Sequence, residues 1–452
     1  MACLLAASMQ ACVIEQEAGD EPIVDHGSMG KADDLFADGP LYLTGGFDGS
    51  KRFGMWVDSM DFARRIERDY GKPLSFTYFI NTCYLDTSVT GSWIGKSLSE
   101  PESMVRMALM QQVLNEGHEI ANHAVRHQDG TNWSYDQWYA EIAEFHQLVE
   151  QNLFRPIYGP GGEPVFPRWE PVAQADPGEV GAACATDGDC DSGICLPVSK
   201  EASFCSAGCN KHNPCANGTV CGAPDWNESK DRCVPTPAFP VEYQGQELFD
   251  ATGTPNLEHP ALKPIKLTGF RAPQLGHNKA LFQVLEQFHY RYDTSKILKI
   301  GAPKRVAHGG HVFSSMYEFA LMKNSGSLSV PMDYNYKVNN GSYERMRDDY
   351  QRSIVDAYNA RKRTPWNIGH HFALWRNGGY WQAMQDAFVF AAQGCPDGQG
   401  NLRCEQVEFP NFNDLALILD SKADGMNDPF NDPTAEGEVL PPSEWDDHDE
   451  EI

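Results

Sequence analysis

Residues 117–127 read Gly-His-Glu-Ile-Ala-Asn-His-Ala-Val-Arg-His, and they decide the fold. His118 to Asn122 has the length and composition of a buried strand. Before it, Glu102 to Glu116 places Met104, Met107, Ala108 and Leu114 at helical spacing, and Gly117 ends that helix. After it come His123 and His127, four residues apart. Two such imidazoles can face one cation if the segment turns helically, and neutral histidine is the commonest metal ligand. Taken alone the pair also suits a solvated surface. A third ligand must come from elsewhere in the chain, and an aspartate is the natural donor.

Outward from this stretch a rhythm emerges. Leu41 to Thr44 reads as a strand ending in Gly45-Gly46, Asp58 to Tyr70 as a helix, Leu74 to Ile80 as a strand and Tyr135 to Asn152 as a helix. Strands alternating with helices predict parallel βαβ units in a wound sheet or barrel. The rhythm stops near Arg155 in a Pro- and Gly-rich stretch. It resumes at Ile265–Gly269 and runs to about Leu419, with strong helices near Tyr343–Lys362 and Tyr380–Gln393.

Eight of the thirteen cysteines lie between Cys184 and Cys233. A run this dense, without paired C-x-x-C knuckles, predicts a small disulfide-stapled module and an oxidising compartment. Eight cysteines allow 105 pairings, so connectivity stays open. Cys395 and Cys404 are placed to close a hairpin-like loop, which leaves Cys83 as a buried free thiol. The expected organisation is a possible signal or lipoprotein segment over 1–12, an acidic tether over 13–40 and a barrel over 41–170 and 238–423. A cysteine-rich insert over 171–237 interrupts the barrel, and an acidic tail covers 424–452.

The chain has 452 residues, enough for two or three folding units, and its 41% hydrophobic and 22% charged residues are a globular composition. Its formal net charge of −27 makes nucleic acid and anionic membranes poor partners. No apolar run approaches the length of a membrane-spanning helix. Leu4 to Met9 followed by Gln10-Ala11-Cys12 has the form of a bacterial lipoprotein signal, with Cys12 as the residue that would carry a lipid anchor. Export to the cell envelope or the extracellular space is the expectation.

With those residues in view, the stretch 117–127 resembles the second motif of the polysaccharide deacetylases, carbohydrate esterase family 4, where a strand reading G-H-E-I precedes H-[ST]-x-x-H. Ala124 stands where the family has Ser or Thr. Gly269-Phe-Arg-Ala-Pro273 resembles the third motif, with Gln274 in place of Tyr. Tyr292-Asp-Thr-Ser295 is similar to the fourth, and Asn367-Ile-Gly-His-His-Phe372 to the fifth. They occur in family order once the insert is set aside. The first motif, T-F-D-D-G in the family, is here Thr44-Gly-Gly-Phe-Asp-Gly49 with one acid. Asp48 is therefore either the catalytic base, with the metal ligand lost at Gly49, or the ligand, with the base lost.

The resemblance implies an α/β fold, a distorted seven-stranded (β/α) barrel with a small disulfide-rich insertion. It implies one divalent metal, Zn²⁺ first, held by Asp48, His123 and His127 with open positions for water and an acetyl carbonyl. Catalytic roles fall to Asp48, to His371 as the acid for the departing amine, to Asp293 as its tuning partner, and to Arg271 as the group orienting Asp48. Pro273, Gln274 and Trp375 are expected along the substrate. The implied activity is deacetylation of an extracellular N-acetylated polysaccharide such as chitin or peptidoglycan. The alternative is a catalytically lapsed carbohydrate-binding or adhesion protein on the same scaffold.

Asp187-Gly-Asp-Cys-Asp opens like a calcium loop but has Val198 where the closing glutamate belongs, so a turn is expected. His308-Gly-Gly-His311 could bind metal but reads more simply as a loop. Trp366 and Trp381 could stack on sugars and are more commonly core. Asn217 and Asn227 head glycosylation sequons.

Overall fold

Leu41–Asp48 (β1) is buried along its whole length, and its two central glycines explain how. A side chain at Gly45 would meet the Phe76 ring at 2.8 Å. The glycines therefore lie inside the strand, where they admit aromatic rings, and do not terminate it as the sequence suggests. Six further strands run parallel to β1: Thr77–Ile80 (β2), Glu119–Asn122 (β3), Gly269–Phe270 (β4), Tyr292–Asp293 (β5), His311–Glu318 (β6) and Trp366–His371 (β7). The order across the curled sheet is β6-β5-β4-β3-β2-β1-β7. These are the seven staves expected of the barrel. Lys304–His308 adds an antiparallel strand outside β6, and Val407–Glu408 pairs with the start of β1.

The computed structural model describes residues 31–97, 99–216, 218–222, 231–298, 301–326, 330–424 and 429–430. The signal-like segment, Cys12, both sequon asparagines and nearly all of the acidic tail lie outside the described residues. The last part of the stretch read as a tether is packed against the barrel. Phe36 is fully buried, and the Asp33 carboxylate accepts from the Ala302 amide at 2.8 Å.

No ladder joins β6 to β7 among the described residues, and isolated side-chain and backbone bonds close this seam. Asn367 Nδ2 donates to the carbonyls of Phe319 (3.3 Å) and Ala320 (2.8 Å), and Gly369 N donates to Pro331 O at 2.8 Å.

Helices Phe53–Tyr70 (α1), Glu100–Asn115 (α2) and Tyr135–Asn152 (α3) cover the sheet beside the first three strands. In α2 the fully buried apolar residues are Val105, Ala108, Leu109, Met110 and Val113, while Met104, Met107 and Leu114 are half-buried. The face read from the sequence is thus rotated. The reason lies in the insert: α2 is covered on its outer side too, with Met104 Sδ 3.1 Å from where a Gly253 side chain would begin. Two-sided burial erases the contrast that marks a helix face. No helix among the described residues is long and apolar enough to cross a membrane.

The excursion from the barrel is longer than the cysteine run. It departs at Phe154 and returns at Pro264, where the two chains form an antiparallel bridge flanked by Arg155 N to Lys263 O (2.8 Å). Its eight cysteines pair as Cys184–Cys195, Cys190–Cys205, Cys209–Cys221 and Cys215–Cys233. Cys395–Cys404 is a further disulfide, and Cys83 is the buried free thiol, pushed up to about 12 by burial. The aspartates of the calcium-loop-like stretch serve turns. Asp187 accepts from Cys195 N (2.8 Å), and Asp189 accepts from Ala185 N and Thr186 N (both 2.8 Å).

Candidate active site

The carboxyl ends of β1, β3, β4 and β7 bring five of the singled-out side chains together. Asp48 and His371 are register partners across β1 and β7. Arg271 follows β4 immediately, is fully buried, and donates through Nη1 to Asp48 Oδ1 at 2.6 Å. Its Nε donates to Thr294 Oγ1 at 2.7 Å, which fixes the guanidinium plane, and its cationic centre lies 4.3 Å from the Phe79 ring centroid. Arg271 therefore holds the Asp48 carboxylate in place.

His123 and His127 follow β3 and meet edge to face, with ring centroids 4.8 Å apart. His123 Nδ1 donates to the Arg271 carbonyl at 2.8 Å. A carbonyl can only accept, so that nitrogen carries the hydrogen and Nε2 keeps its lone pair. Burial, aided by the charges of Arg271 and His371, pulls His123 down to about 3. Burial and the neighbouring His123 and His371 place His127 well below the usual histidine range, with Asp48 opposing. Both rings are neutral near pH 7, as metal ligands must be.

The third donor is a different matter. Among the described residues, the three-donor groups within 4.8 Å of one another are Cys184/Cys190/Cys205 and Cys209/Cys215/Cys221, and disulfides consume those sulfurs. Asp48 does not close such a set with the two histidines; its Oδ1 is committed to Arg271. Gly49 has φ of +90° with only an ordinary 3.7 Å contact awaiting a side chain, so conformation, not space, disfavours an acid there. Two imidazoles fit a divalent ion, and the carboxylate that would complete the centre is not in place. Asp58 and Asp61 lie along α1 and do not replace it; Asp58 is half-buried near Arg232 of the insert and is pushed up to about 6 by desolvation.

His371 has a partner the sequence reading missed. Its Nδ1 donates to Asp333 Oδ1 at 2.7 Å and its backbone N to Asp333 Oδ2 at 3.0 Å. Burial alone would raise the Asp333 carboxyl, but the charges of His370 and His371 and the bonds from His371 hold it below the ordinary range. Asp293, expected in this role, instead accepts from Ser295 Oγ (2.7 Å) and Ser295 N (2.8 Å). No motif spacing points to Asp333, which stands 38 residues before His371 and comes near it through the Met332–Gly369 bridge that closes the seam.

The His370 ring packs against Phe47 and Trp381, and its Nδ1 lies 3.4 Å from Asp333 Oδ2. Trp375 lies beside His371, with centroids 5.2 Å apart, and also contacts Tyr334. Trp366 packs against Tyr350 in the core, and Trp381 against Phe62. Pro273 is buried, and Gln274 is half-buried with φ of 53°, in the loop directly after Arg271. His308 and His311 close a tight hairpin whose Gly309 and Gly310 both have positive φ.

The family model described as polysaccharide deacetylase matches residues 73–161, the segment that holds β2, β3 and both histidines. With the fold, this supports polysaccharide deacetylation in general terms. Structural likenesses include a family 4 carbohydrate esterase from Streptomyces lividans in complex with acetate (11% identity, 79% of this chain and 90% of that one, TM-score 0.31). Another is the family 4 esterase domain of a multidomain xylanase from the hindgut metagenome of Trinervitermes trinervoides (10%, 84% and 91%, TM-score 0.33). A third is a family 4 pseudoenzyme from Bacillus anthracis (8%, 83% and 66%, TM-score 0.34). No curated protein matches the chain.

Proposed function

We propose that the chain hydrolyses the acetamide of an extracellular N-acetylated polysaccharide, with chitin and peptidoglycan as first candidates. The observation that carries this reading is the register pairing of Asp48, held by Arg271, with His371, held by Asp333, beside two neutral imidazoles. His123 and His127 would hold the divalent ion, Zn²⁺ first. When bound, that ion supplies Lewis-acid polarisation of the acetyl carbonyl and a more acidic water.

Asp48 acts as the base. The guanidinium on Oδ1 neutralises the carboxylate and so weakens it as a charge partner for a divalent cation. Its second oxygen makes no hydrogen bond among the described residues and is available to accept a proton from water. Asp333 stabilises the protonated form of His371, whose far nitrogen then passes a proton to the departing sugar amine. The four insert disulfides support export to an oxidising compartment.

Asp48→Asn tests the assignment. As a base, its loss leaves metal content unchanged and lowers acetate release by about 10²–10⁴-fold. Loss of stoichiometric zinc would make Asp48 a ligand instead, and an unchanged rate would remove it from the site. One observation favours a second reading, a lapsed carbohydrate-binding protein: the only acid at the end of β1 is engaged by Arg271. Acetate release by the wild type from a chitin and peptidoglycan panel, or its absence alongside retained binding, separates the two.

A further inference from the structure

The turn that carries the two histidines is strained at both ends. Ala124 and His127 have φ of 61° and 54°, the left-handed region that residues with a side chain occupy only where their surroundings hold them there. Every backbone group of the three residues from Ala124 to Arg126 is engaged. Asn122 Oδ1 accepts from Ala124 N at 2.7 Å. The carbonyls of Ala124, Val125 and Arg126 accept from Asn81 Nδ2 (3.2 Å), Cys83 N (3.1 Å) and Trp93 N (2.9 Å). The two remaining amides, Val125 N and Arg126 N, both donate to one oxygen, Glu141 Oε1, at 3.0 and 2.8 Å.

Glu141 is a buried residue of α3, and a carboxylate is seldom buried unless it is paired. Its second oxygen accepts from Arg126 Nη1 at 2.8 Å, and the same guanidinium donates to Glu144 Oε2 (2.7 Å) and Thr90 O (3.0 Å). Glu141 thus grips the turn by main chain and side chain at once. It is the one charged acceptor on the turn's main chain among the described residues, and such bonds are stronger than neutral ones. Without it, Ala124 and His127 relax toward ordinary φ. The His127 ring is borne by one of those strained residues, so that relaxation carries it away from His123.

We propose that Glu141 is a positioning residue for the histidine pair: its carboxylate holds the turn in the strained conformation that sets the two rings edge to face. The inference rests on reading His123 and His127 as metal ligands, and it places the control of their spacing on α3.

Two measurements on the full chain test it. In metal-free protein with carbon-13-labelled histidine, the rings of His123 and His127 should give a mutual cross-relaxation peak. Glu141→Met, which keeps the stem of the side chain, should abolish that peak. Zinc affinity, measured against a competing chelator, should fall about 10–100-fold in the same variant. Glu141→Gln keeps one acceptor oxygen for the two amides and should recover most of both signals. Glu116→Ala breaks a pair with Arg64 (2.7 Å) at the opposite end of β3 and should keep peak and affinity alike. If Glu141→Met does not fold, Glu141→Asp, whose carboxylate falls one methylene short, decides. A peak or a wild-type affinity surviving in the deciding variant would overturn the positioning role, as would equal losses in Glu116→Ala. A wild type that shows the peak but binds no zinc would sink the metal reading alone, and loss or survival of the peak in the variant would then decide on Glu141.

Discussion

At the scale of single residues, the site is built from pairs in which one member fixes the other. Arg271 fixes Asp48, its carbonyl fixes the tautomer of His123, and Asp333 fixes His371. Asp333→Asn should therefore lower the rate while leaving metal content alone, and should move the alkaline limb of the pH–rate profile to lower pH, because the imidazolium loses its counter-charge. A profile that only scales down would reduce Asp333 to a packing residue. His118 shows the same logic in stability. Its Nδ1 accepts from Phe76 N at 3.0 Å, and burial lowers its pKa to about 4. Unfolded, it titrates near 6.5, so between those values the unfolded chain binds more protons and stability falls as pH drops from about 6.5 to 4. His118→Asn keeps an acceptor but cannot charge. The stability difference between wild type and this variant should narrow by roughly 2–3 kcal/mol over that window; a difference independent of pH would show that His118 stays protonatable in the fold.

At the scale of elements, α1 carries a cap that no local pattern reveals. Its N-cap residue Arg52 makes no side-chain cap bond. Asp231, 178 residues away in the insert, accepts from Phe53 N at 2.9 Å and Gly54 N at 2.8 Å. Nearby, Arg106 of α2 is fully buried and joins Ser50 O (3.0 Å), Lys51 O (2.8 Å) and the insert's Gly222 O (2.9 Å). Asp231→Ala should cost about 1–2 kcal/mol, with Asp231→Asn recovering part of it; equal denaturation midpoints for all three proteins would discount the cap. The contrast with what the sequence discloses is instructive. Tyr135–Asn152 was legible to the residue, because Ser134 and Gln137 form a capping box within one turn. The α1 start, read at Asp58 but found at Phe53, was not, since its cap arrives from another part of the chain. Likewise His123 and His127 announce themselves by spacing, whereas Asp333 depends on a β-bridge that only the closed seam creates.

At the scale of the whole molecule, the insert behaves as a wall of the barrel. Deleting Ala182 to Pro235 looks harmless from the sequence, because surface excursions between adjacent ends are usually dispensable. The structure argues otherwise. That deletion removes Asp231 from α1, Gly222 from Arg106, and Pro197, whose carbonyl accepts from Arg64 Nη1 at 3.0 Å. The effect also reaches the site: the loop between Asp48 and α1 contains Ser50, whose hydroxyl donates to Asn81 O at 3.2 Å, and Asn81 Nδ2 donates to the carbonyls of His123 and Ala124. We therefore expect the deleted chain to melt lower than Asp231→Ala by several degrees, since it loses the same cap and leaves the Arg106 guanidinium and the outer face of α2 short of partners. Its zinc content should fall together with its melting point, whereas a Cys395→Ser/Cys404→Ser protein, altered in a loop away from α1, should keep its zinc. A deleted chain with the wild-type midpoint and full metal content would return the insert to the status of a surface ornament.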